Sequence, residues 1–408
     1  MAGQNGLRSI VAAFALVGLA TLRAQAGEYV GPGVTKDEIV IGNTAPYSGP
    51  VSALGTTIKS AEAYFRKVND EGGVNGRKIR MISYDDGYSP PKTVEQTRRL
   101  VESDGVLLVF GSLGTPTSAA VQKYLNSKAV PQLFVMSGAA RFHDPATSPW
   151  SMGWPLSLTA EGAVLAQFLA TGGAPQKLAV LFQNDDFGRD CLAGLKAGLG
   201  SKASTIVAET SYDVGAPTID SQLLQLKASG ATAIALFTTP KYSAQAIRKI
   251  AELQWKANVF IPQSSASAGS VLAPAGIDNA QGVMSWASYK DPTETGWKDD
   301  PGMKAWLAFM ERYYPEGDRT DISNVVGYLL AKTLVATLQR AGDDLSRANV
   351  LKQASQLKGL SFDMLLPGIT IDTARTPYSP LTQVQMERFT GRTWERFGPI
   401  VHGGATAN

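Results

Sequence analysis

The chain has 408 residues, 44% of them apolar and 18% charged, with a formal net charge of +3. That length supports two lobes of about 150 residues or more each, and the near-neutral balance removes nucleic acid and anionic membrane surfaces as expected partners. Cys191 is the single cysteine, so no internal disulfide forms, and its setting in a helix-like segment reads as a small buried hydrophobe.

At the N-terminus, Arg8 precedes an apolar stretch at 10–20 (IVAAFALVGLA), and Ala24-Gln25-Ala26 supplies a small-x-small cleavage site. The apolar run falls short of the roughly 20 residues that span a bilayer. A secretory signal over 1–26 is therefore expected, and loss of Arg8 and Arg23 with it lowers the charge from +3 by two, to +1. No cysteine follows the signal to take a lipid anchor. A freely diffusing, monomeric periplasmic protein without a membrane anchor is the expectation.

Strand and helix signals then alternate. Residues 39–45 read as a buried strand, 46–50 as a turn, and 54–68 as a helix with Ile58, Ala61, Phe65 and Val68 at helical spacing, stopped near Gly72. A strand at 78–84, a helix at 91–100, a strand at 106–110, a helix at 116–127 and a strand at 132–135 complete the first run. A joint rich in Pro, Gly and Trp (SPWSMGWPLS) separates it from a second. Strands at 177–182, 205–209, 233–237 and 259–261 alternate there with helices at 189–199, 221–228 and 243–253. The segment 301–354 is mainly helical, 365–397 is strand-rich, and a short polar tail follows Val401. Short apolar strands alternating with amphipathic helices mean parallel sheets covered on both faces, so the fold class is α/β with two doubly wound lobes.

The chemistry inventory is thin. The histidines are His143 and His402; no G-x-S-x-G elbow, no Cys/His metal spacing and no glycine-rich phosphate loop is present. Catalysis is not expected, and neither is a metal or cofactor. Asp85-Asp86 reads as a solvated pair at a strand end.

One stretch stands out, FGSLGTPTSAAV. The strand before it ends in glycines that let the backbone turn and approach a ligand, and Thr115-Pro116 starts a helix well. Open α/β sheets bind ligands at the carboxyl ends of their strands. Ser112, Thr115 and Thr117 with the free N–H groups of that helix therefore either make a site for a carboxylate or other anion, or Thr115-Pro116 simply starts the helix. A second strand end, MSGAAR, adds Arg141, whose fork suits a carboxylate or else pairs with Asp144.

IGNTAPYSGPVSALG, NDEGGVNGRKIRMISYDDGYSPPKTVEQTRRLV and VFGSLGTPTSAAVQKYLNSKAVPQL resemble the extracytoplasmic solute-binding proteins of ABC importers, of the leucine/isoleucine/valine-binding type (type I periplasmic binding proteins). The likeness spans nearly the whole chain after the signal, including VLFQNDDFGRDCLAGLKAGL. It implies two lobes joined by three crossovers, 37–154 with 288–372 and 155–287 with 373–401, ahead of a tail at 402–408. It also implies closure of the lobes on a buried ligand and docking of the closed form onto a permease. On this resemblance the ligand carboxylate meets Thr115, with backbone contacts from Ala139 and Arg141, and Leu54 stands where the family uses an aromatic. Tyr242 becomes the second-lobe stacking residue. Gln263, Ser264 and Ser265 fall where an acid usually holds the ligand's ammonium. Burying an ammonium without a carboxylate is costly, so either Asp185 or Asp186 substitutes or the ligand lacks an amino group, the second being preferred. Trp154, Phe187, Tyr242, Trp286 and Tyr289 are the aromatic wall candidates. The expected function is capture of a small carboxylate-bearing solute for an ABC importer, a branched-chain or hydrophobic amino acid or an amphipathic organic acid. A ligand-sensing receptor module of the same fold is the alternative.

Overall fold

The computed structural model describes residues 29–172 and 177–403; the expected signal at 1–26 and most of the expected tail lie outside these. The first run folds as β1 (Glu38–Ala45), α1 (Gly55–Asp70), β2 (Lys78–Asp85), α2 (Pro90–Glu102), β3 (Val109–Phe110), α3 (Thr115–Ser127), β4 (Gln132–Val135) and β5 (Ser151–Gly153). These strands form one parallel sheet in the order β2-β1-β3-β4-β5. β1 is buried along nearly its whole length, as a strand covered on both faces must be.

The chain then crosses to a second sheet. α4 (Leu158–Thr171), β6 (Leu178–Gln183), α5 (Asp186–Leu199), β7 (Ile206–Tyr212), α6 (Asp220–Ala228), β8 (Ala233–Phe237), α7 (Pro240–Glu252), β9 (Asn258–Phe260), a single turn α8 (Ala273–Ala275) and β10 (Met284–Ala287) follow. It returns to the first lobe as α9 (Pro301–Tyr313), α10 (Ile322–Ala341) and α11 (Arg347–Ala354), then crosses again to end in β11 (Gln383–Thr390) and β12 (Thr393–His402). The second sheet runs β12-β11-β10-β9-β8-β6-β7. Its β12, β11 and β10 pair antiparallel, so this sheet is mixed, where alternation alone pointed to parallel strands throughout. β12 takes in His402, which the sequence reading placed in the tail.

One apolar cluster binds the first sheet to α1, α9 and α10, including Ile58, Phe110, Trp306 and Leu330. Two more cover opposite faces of the second sheet. Close packing of α1 on α10 depends on Gly327, where a Cβ would stand 1.9 Å from the Thr57 carbonyl oxygen. β3 is shorter than the apolar run 106–110; the Arg347 guanidinium takes the Leu107 and Val106 carbonyls at 2.8 and 2.9 Å. Asp85-Asp86 is not a solvated pair. Asp85 accepts the Tyr47 and Ser48 N–H groups and the Ser48 hydroxyl, while buried Asp86 accepts the Tyr88 N–H. Burial alone would raise the Asp85 carboxyl, but bonds from Ser48, Gly87 and Lys92 outweigh it and hold the carboxyl below its ordinary range.

Candidate functional site

The strand ends of the first sheet face the strand ends of the second across a cleft, and within it lies a partly open cavity of about 110 Å³. On the first-lobe side it is walled by Leu54, Tyr88, Gly114, Thr115, Ser137 and Tyr289, among others. Leu158, Glu161, Phe187, Thr239, Gln263 and Ser264 face them. An apolar cavity of about 150 Å³ accommodates one benzene.

The polar floor is built where the β3–α3 and β4–β5 loops meet. Thr115 Oγ1 and Ser137 Oγ lie 2.7 Å apart and are buried. Among the described residues, no acceptor bonds the backbone N–H of Ser137 or Gly138. Tyr88 lies over the start of α3, its ring beside Gly114. Gly114 makes room: its φ is +105°, and a Cβ there would meet Tyr88 Cε2 at 2.4 Å. Asp86 fixes Tyr88 from behind, at a φ of 61° that non-glycine residues rarely adopt.

The second-lobe wall carries Glu161, near the start of α4 and 4% exposed. Its carboxyl accepts the Trp286 Nε1–H at 3.1 Å and forms no ion pair among the described residues. Burial pushes it up to about 8, against the lowering effect of Trp286 and the Gln263 backbone N–H. A buried acid without a cation stays protonated or awaits a partner. Sequence reading passed over this residue. Its only signal was a lone charge in an otherwise uncharged helix, LTAEGAVLAQFLAT, and an acid near a helix start is ordinary.

Of the residues singled out from sequence, Thr115, Phe187, Gln263 and Ser264 are brought together at the cavity, with Leu54 and Tyr289. The others lie elsewhere. Arg141 pairs with Asp186 at 3.4 Å, both side chains 44% exposed, and neither lines the cavity. Asp185 caps α5, accepting the Phe187 N–H at 2.9 Å. Tyr242 is fully buried in the second lobe. Its ring packs on Tyr212 at 4.3 Å, and its hydroxyl accepts the Gly215 N–H and donates to the Ala216 carbonyl. Its place in the first turn of α7, against β7, turns the ring inward. Ser112 and Ala139 are buried behind the floor, the Ala139 N–H bonded to Ser137 Oγ. Trp154 stacks on the far side of Tyr289 with ring centroids at 5.9 Å, and its Nε1–H donates to Thr333.

Contacts across the cleft hold the lobes together. The Ala140 N–H donates to Asp190 at 2.8 Å, Ser267 Oγ to Asp321 at 2.9 Å, and Gln183 Nε2 to Tyr88 at 3.5 Å. Residues 38–392 match the family model described as periplasmic binding protein. The chain belongs to the periplasmic binding protein family. Within the family it resembles the Leu/Ile/Val-binding protein homolog 1 of Brucella abortus (strain 2308), 23% identical over 80% of this chain and 85% of that one. A branched-chain amino acid ABC transporter structure from Thermus thermophilus with bound valine superposes with a TM-score of 0.81, at 16% identity over 90% of this chain and 97% of that one. The fatty acid ABC transporter substrate-binding protein from Thermomonospora curvata gives 0.78, at 21% identity over 92% and 95%. Among the described residues, no helix is long and apolar enough to cross a membrane.

Proposed function

We propose that this periplasmic binding protein captures a small amino-acid-like solute between its lobes and delivers it to the permease of an ABC importer. The observation that supports this best is the opposition, across one partly open cavity, of the Thr115–Ser137 hydroxyl pair and the cation-free carboxyl of Glu161. A solute carboxylate meets the hydroxyls and the adjoining N–H groups; its ammonium meets Glu161; a compact apolar side chain packs among Leu54, Leu158, Phe187 and Tyr289. On this reading Glu161 of α4 takes the place of the acid absent from the PQSSASAG loop, and the ligand carries an amino group. The α3 N-terminus, Thr115 hydroxyl included, remains the proposed anion end, with Ser137 and Gly138 in the place first given to Ala139 and Arg141.

On this reading the protein acts as a carrier. Closure is a population shift driven by the ligand's preference for the closed form. The test is denaturing mass spectrometry of whatever leaves the natively purified protein, followed by thermal unfolding with candidate solutes at increasing concentration. A small α-amino acid is expected to raise the midpoint as RT ln(1 + [L]/Kd) and to contract the particle in X-ray scattering. Scattering profiles that superimpose with and without every amino acid and monocarboxylate tried would overturn the reading.

A further inference from the structure

Beyond Tyr289 and Gln263 the cavity adjoins a second void of about 20 Å³. Gln263, Tyr289, Ile322 and Val326 are walls common to both. Asp291 and Glu387 close its inner end, each 3% exposed.

The bonding of this pair is incomplete. Asp291 Oδ1 accepts the N–H and hydroxyl of Thr293, and Oδ2 has no hydrogen bond among the described residues. The Glu387 side chain has neither a hydrogen bond nor an ion pair among them. Ser285 stands opposite Glu387 in the β10–β11 ladder, and its Oγ, fully buried, is unbonded as well. Cross-strand partners project from the same sheet face. The neighbouring cations are engaged elsewhere. Arg396 is held by Glu294 at 3.0 Å and lies over the Trp297 ring at 4.4 Å; Lys290 is held by Asp300 at 2.7 Å. Burial, the larger cause, raises Asp291 to about 6, with repulsion from Glu294 and Asp321 added; burial also raises Glu387 well above its ordinary value, with repulsion from Asp291 and Glu294 added and Arg396 opposing.

Arg396, opposite Glu387 in the β11–β12 ladder, offsets part of this charge but forms its ion pair with Glu294; buried acids so weakly paired destabilise a fold, and apolar residues of the same volume would serve the core better. The void needs about 10–15 Å³ to hold one water-sized group, so it takes one such group and no more. A primary ammonium has that size and donors to spare for the free carboxylate oxygens of Asp291 and Glu387 that line the void. Among the described residues, no cluster of three acids, histidines or cysteines fit for a metal ion occurs, which favours a donor group over a coordinated metal.

We propose that this void is a subsite for an ammonium group at the far end of the solute, making the ligand a short-chain diamino acid. The inference rests on the reading of the main cavity as an amino-acid site and adds its specificity.

The experiment uses wild type, E387Q and D291N, each freed of bound solute by unfolding and refolding, in titration calorimetry. The probes are L-norvaline and L-ornithine, which share one carbon skeleton and differ by the terminal ammonium, and ammonium chloride alone. Wild type is expected to bind ornithine at least about tenfold tighter than norvaline and to release protons as it does so, read from the heat in buffers of different ionisation enthalpy. E387Q and D291N lose that preference while keeping norvaline affinity within about threefold of wild type. Norvaline binding as tightly as ornithine overturns the subsite and leaves the main-cavity reading standing. Equal weakening of both probes by E387Q overturns it too, as does an ammonium chloride response equal to that of ornithine. Failure of both amino acids to bind wild type brings down the main-cavity reading and the subsite together.

Discussion

Replacing Glu161 with glutamine tests the electrostatics of the cleft without changing its shape. In the ligand-free protein, burial lifts this carboxyl from 4.5 to about 8, while in the unfolded chain it titrates near its ordinary value. Between those two pH values the folded form binds more protons than the unfolded form, so stability falls as pH rises. Below about 4.5 the residue is neutral in both forms and contributes no penalty; above about 8 the penalty is complete. At about 1.4 kcal/mol per tenfold change the interval sets a ceiling near 5 kcal/mol, and relaxation of the site with water entry brings the expected value to about 2–3 kcal/mol. The glutamine of E161Q carries no charge at any pH. Urea unfolding of refolded, ligand-free wild type and E161Q from pH 5 to 9 is therefore expected to give similar stabilities at pH 5. The variant gains about 2–3 kcal/mol over wild type at pH 9. In the presence of an α-amino acid the order reverses, because ionised Glu161 then has its partner, and E161Q loses affinity by roughly 30-fold or more. Stability curves that stay parallel across the range refute the claim that this carboxyl is buried without a cation.

Gly114→Ala is expected to lower stability by about 2–4 kcal/mol and to weaken ligand binding, through a left-handed φ and a Cβ 2.4 Å from the Tyr88 ring. Gly72 has the same φ of +105° with nothing within 4 Å, so Gly72→Ala reports the backbone contribution alone and leaves affinity unchanged. Arg141→Ala breaks a half-exposed pair at the cleft mouth; calorimetry is expected to show a change in Kd under about fivefold, as for surface ion pairs of up to about 1 kcal/mol, and a loss beyond 100-fold would return Arg141 to the binding site. Tyr242→Phe removes a hydroxyl bonded on both sides inside the second lobe. It should cost about 1–3 kcal/mol in urea unfolding and leave affinity intact.

Strand periodicity placed the strands of both sheets that lie in apolar runs, and helical spacing placed α1 through α3 and α5 through α7 within a few residues. Short apolar strands covered on both faces have few alternatives. β5 and β10 escaped because three or four residues inside aromatic-rich joints carry no period. The antiparallel pairing of β10, β11 and β12 escaped because pairing direction is set by where the chain re-enters the sheet.

Local sequence thus determined what local forces govern: the strand–turn–helix of FGSLGTPT, whose glycines and hydroxyls bring Thr115 to the cleft wherever the sheet sits. It also determined the family, through long ordered motifs. Tertiary structure alone decided which side chains share the cavity. Glu161 reaches it from α4, and Asp291 and Glu387 meet behind it from segments 96 residues apart, because the crossovers carry distant stretches to one point between the lobes. Arg141 and Tyr242, conspicuous in sequence, are drawn off by Asp186 and by the Gly215–Ala216 backbone. Whether a charge or an aromatic ring serves a ligand depends on which partner is nearer, and that distance exists only once the lobes have packed.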